Sequence, residues 1–196
     1  MRYPEVEVIY GGEFQETAKA FANLRAAFPV ALLLIYMILA AQFRSYMQPL
    51  VVATAIPFGL MGVIAGVAIM GYTVNFGLLY ATIGLTGVVV NDSLVMVDFI
   101  NRARGGGMPL LEAVRQSGAR RLRPILLTTL TTALALLPMA LGLAGVSKSY
   151  GPFAAALTFG LMVAMFGTLF AVPLSYTSLI VLQERLRRRF SRPVSP

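Results

Sequence analysis

The sequence contains no cysteine, no histidine and no tryptophan. Without cysteine there is no disulfide and no thiol nucleophile. Without histidine there is no imidazole base, and with neither there is no Cys/His zinc site. Any proton chemistry must run through carboxylates, amides, hydroxyls or basic groups. No catalytic or metal-ligating set is visible, and the chain does not read as an enzyme. Charge is also scarce. Only 12% of the 196 residues are charged and 58% are hydrophobic, whereas a soluble domain is about 25% charged. Mean hydropathy is +0.77. Such a chain cannot hide its apolar side chains in one soluble core of this size, so it reads as an integral membrane protein. The net charge of +8 does not indicate nucleic acid, because the basic residues sit between and after apolar runs, where they orient a membrane protein.

Charge-free stretches count the crossings. Residues 26–43 form one, closed by Arg44. Residues 45–91 form the next; as helix they would measure roughly 70 Å against a hydrocarbon core of about 30 Å, so they must be two crossings. The break falls at Gly71-Tyr-Thr-Val-Asn75, which combines a glycine, an interfacial tyrosine and an asparagine. The pattern predicts helices at about 26–43, 48–70, 76–100, 124–146 and 152–183, within a transmembrane domain spanning 26–185. Pro138 and Pro173 should kink the last two. Between the third and fourth crossings, Pro109 suits a first helical turn and Leu110, Leu111 and Val114 share a face. A short amphipathic helix over 109–118, lying on the membrane surface, is expected. Gly105-Gly106-Gly107 reads as a flexible loop. The fold class is an all-α five-helix transmembrane bundle, followed by a basic tail over 186–196.

The charges orient it. Arg44, the six arginines at 102, 104, 115, 120, 121 and 123, and the five at 185, 187, 188, 189 and 192 fall on one side of a five-crossing chain. Arg2, Lys19, Arg25 and Lys148 fall on the other. The positive-inside rule puts the C-terminus in the cytoplasm and the N-terminus outside. An outside N-terminus without a cleavable signal implies that sequence upstream is missing.

Asn91-Asp92-Ser93 is the most informative cluster. An ionised aspartate at a helix centre costs about 2.5–3.5 kcal/mol on insertion scales, and intramembrane carboxylates mark proton or ion pathways. The alternative is a structural polar contact between helices. Asp98 lies nearer the cytoplasmic end and reads as interfacial. Thr128, Thr129, Thr131 and Thr132 either bond back to their own helix carbonyls or supply one hydroxyl, Thr128 first, to Asp92. Arg120, Arg121 and Arg123 are orientation anchors, any one of which can instead snorkel inward as counter-charge to a carboxylate. Gly59, Gly62 and Gly66 have the small-residue spacing that lets helices approach closely. The basic tail can contact anionic lipid.

Four stretches carry a resemblance to a known family: Ala41–Leu50 (AQFRSYMQPL), Ile56–Gly62 (IPFGLMG), Gly87–Phe99 (GVVVNDSLVMVDF) and Arg121–Thr129 (RLRPILLTT). In this order, over nearly the whole chain, they resemble the C-terminal membrane half of the resistance–nodulation–division exporters, multidrug type. The resemblance implies twelve membrane helices in two related halves, two large periplasmic domains, and a homotrimer in the bacterial inner membrane. Such a trimer works with a periplasmic adaptor and an outer-membrane channel, and it uses the proton gradient, with no cofactor, to export amphiphilic small molecules. This chain would hold helices eight to twelve, with residues 1–25 as the end of the second periplasmic domain and its lead-in helix. The family's proton relay joins two aspartates on helix four to a lysine on helix ten, assisted by an arginine and a threonine on helix eleven. The motifs put the lysine position at Asn91, beside Asp92, the arginine at Arg121 and the threonine at Thr128. Asparagine can donate hydrogen bonds to a carboxylate but cannot neutralise it. The alternative is a non-transporting scaffold or accessory fragment derived from such a permease.

Overall fold

A computed structural model describes residues 13–143 and 150–190. Among them every regular element is helical: α1 (Glu13–Phe43), α2 (Gln48–Ala53), α3 (Ile56–Met70), α4 (Phe76–Gly105), α5 (Leu110–Ala140), α6 (Tyr150–Phe166) and α7 (Val172–Phe190), the last two joined by a π-helical turn, Gly167–Ala171. Five spans are long and apolar enough to cross a bilayer: Ala22–Phe43, Gln48–Met70, Phe76–Gly105, Leu110–Ala140 and Tyr150–Arg185. Residues 1–12, Lys148 and the tail beyond 190 lie outside the described residues.

The chain divides into two compact units, Met1–Ile35 and Tyr36–Pro196. In the first, α1 is helical from Glu13 through Pro29, and Val30, Leu33 and Leu34 are exposed. In the second, α6 is the central helix and packs against α3, α4 and α5. Its small residues Ala154, Ala155, Ala156, Gly160 and Ala164 are all buried. Glycines make the α3–α6 contact possible. A β-carbon at Gly62 would come 2.6 Å from the Phe159 carbonyl oxygen, and one at Gly66 would come 2.5 Å from the Phe159 Cβ. From α6, a β-carbon at Gly160 would come 3.1 Å from Val63 Cγ2 of α3 and 2.5 Å from Leu85 Cδ2 of α4. Lipid tails are as apolar as leucine, so helices associate in a bilayer through close van der Waals contact of this kind.

Helix ends are specified locally. Asn75 caps α4 by accepting a hydrogen bond from the Leu78 N–H at 3.1 Å. At the ends of α1, α3, α4 and α5 the backbone closes in the same paired pattern, one six-residue and one inner hydrogen bond, as in Tyr72 N–H to Val67 O and Gly71 N–H to Ala68 O. That pattern needs a left-handed residue. Gly71, Gly107 and Gly142 supply it, but at the end of α1 the position is Arg44, with φ 49°.

Proline has three different outcomes. Pro57 lacks an N–H and its ring presses on the carbonyl of Ala53; α2 ends at Ala53, Thr54 and Ala55 make tight turns, and α3 resumes at Ile56. The second crossing is therefore two helices, not one. Pro173 follows the π turn, where the Val172 N–H reaches back to Gly167 O; the wider turn makes room for the ring. Pro124 and Pro138 lie inside α5. The expected surface helix over 109–118 is not separate from the fourth crossing. Both belong to α5, in which Ala113 and Ser117 are buried, and the Ser117 hydroxyl donates to Met96 O of α4 at 3.2 Å.

Candidate functional site

The site residues lie on the antiparallel pair α4 and α5. Two contacts fix the register of this pair: the Ser117–Met96 hydrogen bond and the Arg120 guanidinium, 5.4 Å from the centroid of the Phe99 ring. One turn back from Met96 is Asp92, and one turn on from Ser117 is Arg121. The two therefore stand level across the helix pair. Asp92 is half-buried near the middle of α4, and Arg121 is near enough for its charge to act on that carboxyl, with no salt bridge between the two among the described residues.

Successive residues of α4 diverge in direction. Ser93 is fully buried, and its hydroxyl has no hydrogen-bond partner among the described residues. Asn91 is exposed. It continues an outward stripe at helical spacing through Tyr80, Gly84 and Val88. Added β-carbons at Gly84 and Gly87 would meet nothing within 4 Å.

Thr128 does not meet Asp92. It stands two turns beyond Arg121, about 10.5 Å along α5. It is exposed, and its hydroxyl donates to Pro124 O (3.0 Å) and Ile125 O (3.1 Å) of its own helix. Thr131 does the same with Leu127 O at 2.7 Å. Asp98 pairs with Arg102 one turn along α4 at 2.5 Å. The structure thus sets Asp92 and Arg121 level on neighbouring helices, with Asn91 beside Asp92 on the outer face and Thr128 apart from them. Among the described residues no three carboxylates gather as a metal site would require.

A polar cluster absent from the sequence reading lies towards the C-terminal end of α4. Asn101 and Gln48 exchange amide hydrogen bonds, Asn101 Nδ2 to Gln48 Oε1 at 2.7 Å and Gln48 Nε2 to Asn101 Oδ1 at 3.2 Å. The Tyr176 hydroxyl donates to the same Asn101 Oδ1 at 2.7 Å. Tyr176 is 1% exposed. Gln48 and Tyr176 lie 53 and 75 positions from Asn101, and each of the three alone looks like an ordinary interfacial polar residue. No local pattern could have joined them.

Residues 3–180 match the AcrB/AcrD/AcrF family. The cobalt-zinc-cadmium resistance protein CzcA of Cupriavidus metallidurans is 35% identical over 85% of this chain, which corresponds to 16% of that protein. The multidrug resistance protein MdtC of Erwinia amylovora is 30% identical over 91% of this chain and 18% of its own length. A solved structure of a heavy metal efflux pump superposes with a TM-score of 0.73 at 28% identity, covering 93% of this chain and 18% of the pump. The chain therefore spans less than a fifth of the relatives it matches.

Proposed function

The chain belongs to the AcrB/AcrD/AcrF family, and from that premise we propose that it is the C-terminal membrane portion of a resistance–nodulation–division permease that exports amphiphilic small molecules in exchange for protons. The observation that carries this reading is Asp92, a carboxyl half-buried in the middle of a membrane helix and level with Arg121 across the α4–α5 pair whose register Ser117 and Met96 fix. A charged group at that depth persists when it has a task. When Asp92 takes a proton, its attraction to Arg121 ends, and the α4–α5 pair loses the force that sets its spacing at that level. When the proton leaves, the attraction returns. That cycle gives two arrangements of the bundle, and coupling needs such a bistable element.

Asn91, exposed beside Asp92, contributes hydrogen bonds but no compensating charge. In this protein Arg121 is therefore the cation of the relay. The outward stripe of Gly84, Gly87 and Asn91 leaves room for another helix to approach Asp92 closely, in keeping with a carboxylate-bearing partner helix from the other half of the permease. The basic bias supports an N-terminus in the periplasm and a C-terminus in the cytoplasm of the inner membrane. The complete protein would work as a trimer with an adaptor and an outer-membrane channel.

The test is Asp92→Asn in the complete permease. Proton-coupled export should fall sharply while the protein still accumulates in the membrane. Unchanged export at equal protein level would remove Asp92 from the mechanism. A second reading, export of divalent heavy-metal cations, is favoured by the likeness to CzcA and to the heavy metal pump. Exposing cells that carry the complete gene product to ethidium and, separately, to zinc, cobalt and cadmium separates the two.

A further inference from the structure

Helices α2, α4 and α7 each touch the other two, and the Gln48–Asn101–Tyr176 cluster closes that triangle with side chains. Asn101 has its hydrogen-bonding capacity well used. Its carbonyl oxygen accepts from both Gln48 and Tyr176, and its amide donates to Gln48. Tyr176 is the largest fully buried side chain among the described residues, so its hydroxyl has no water to exchange for Asn101. Breaking the cluster would leave polar groups unpaired between packed helices, which is costly in a low-dielectric interior.

Its position relative to Asp92 is informative. Asn101 lies nine positions beyond Asp92 along α4. At 1.5 Å and about 100° per residue, that is roughly 13.5 Å along the axis and a half-turn around it. The cluster therefore grips α4 on the face opposite Asp92 and well along the helix from it. On the face shared with Asp92, Met96 and Phe99 meet Ser117 and Arg120 of α5, whereas the flank carrying Gly84, Gly87 and Asn91, about a quarter-turn round from Asp92, is exposed. A helix gripped from both faces over Met96–Asn101 and open along one flank at its middle tilts about the gripped end; it does not slide.

We propose that Asn101, with Gln48 and Tyr176, is the pivot of α4, a positioning node that stays closed through the transport cycle while the Asp92 level swings. The proposal rests on the reading of Asp92 as the moving, titrating group. That reading fails separately, by export surviving Asp92→Asn.

The test uses the complete permease in cells lacking their own exporters, with ethidium or zinc as probe, whichever the unaltered protein exports. Export is expressed per copy in the membrane. Tyr176→Phe removes one hydrogen bond and should lower export by about two- to tenfold, the shift that one net hydrogen bond gives a conformational equilibrium. Asn101→Leu should lower it further. The exchanged pair Gln48→Asn with Asn101→Gln restores the reciprocal amides and should recover export, which loss of mere bulk packing would not predict. The decisive arm is covalent. This chain has no native cysteine, and with any cysteine elsewhere in the permease replaced by serine, Gln48→Cys with Asn101→Cys can be bridged by a short bis-methanethiosulfonate. A pivot tolerates the bridge, and export should stay close to that of the unbridged protein. Export abolished by the bridge and restored by reductant would overturn the proposal, because the node would then have to open. Asn101→Leu and Tyr176→Phe both exporting normally per copy would overturn it as well. If Asn101→Leu does not accumulate, the Tyr176→Phe and bridging arms decide.

Discussion

Replacing Gly62 with alanine probes the α3–α6 interface where backbone meets backbone. The added β-carbon would stand 2.6 Å from the Phe159 carbonyl oxygen, 2.8 Å from Val163 Cβ and 2.9 Å from Gly160 Cα. Two of these three are backbone atoms, so no rotamer change relieves the crowding; the helices must part. A gap of about 0.5–1 Å forfeits a quarter to a half of the dispersion well for the atoms on either side. Overpacking of this kind costs about 1–3 kcal/mol. Alanine also gains up to about 1 kcal/mol in helix propensity over glycine, which would blur a single measurement. Gly84→Ala removes that ambiguity, since it has the same propensity gain and nothing within 4 Å of its β-carbon. The difference between the two variants isolates packing and should be about 1–3 kcal/mol, with Gly62→Ala the less stable. It can be read from SDS-induced unfolding of the purified chain in mixed micelles, followed by helical circular dichroism. Equal midpoints for the two variants would refute the close-packing account.

Other perturbations have opposite signs. Arg44→Gly places glycine at the left-handed end of α1 and should raise stability by about 0.5–1 kcal/mol in the same unfolding assay; a lower midpoint would show that the arginine side chain contributes more than its backbone costs. Ser117→Lys introduces a charge at a fully buried position and should cost on the order of 3–5 kcal/mol, seen as failure to accumulate in the membrane. A helix lying on the bilayer surface over 109–118 would accept the lysine without loss.

Hydropathy made the five crossings legible, because each required a run of apolar residues that nothing else in the chain resembles. It misplaced the boundary at α5 for a physical reason. Residues 110–123 are polar and 124–140 apolar, and a change of solvent preference looks like a change of element. The backbone ladder depends on hydrogen bonds, and Pro124 removes only one donor. Prolines were equally opaque. Pro57, Pro124 and Pro173 have the same chemistry, yet a break, a continuous helix and a π turn follow. The outcome depends on how the neighbouring turns rearrange around each ring. At the candidate site, Asp92 was readable as a lone carboxylate in an apolar run. Its level with Arg121 depends on the Ser117–Met96 contact, a feature of tertiary packing. Thr128 follows the first of the two readings open to the threonines. Its hydroxyl is already engaged with its own helix.

The π turn at Gly167–Ala171 has a consequence for the geometry of the whole last crossing. An α-helix advances about 100° per residue, and a π turn takes in one residue more than the α-helical turn it replaces. Every side chain of α7 is thus offset in angular phase from where an unbroken α6 would have aimed it. Buried Val172, Tyr176 and Ile180 follow a stripe that cannot be extrapolated from Ala156, Gly160 and Ala164. The single extra residue acts as a vernier: it lets α6 be aligned to α3 and α7 to Asn101 independently, although both belong to one crossing.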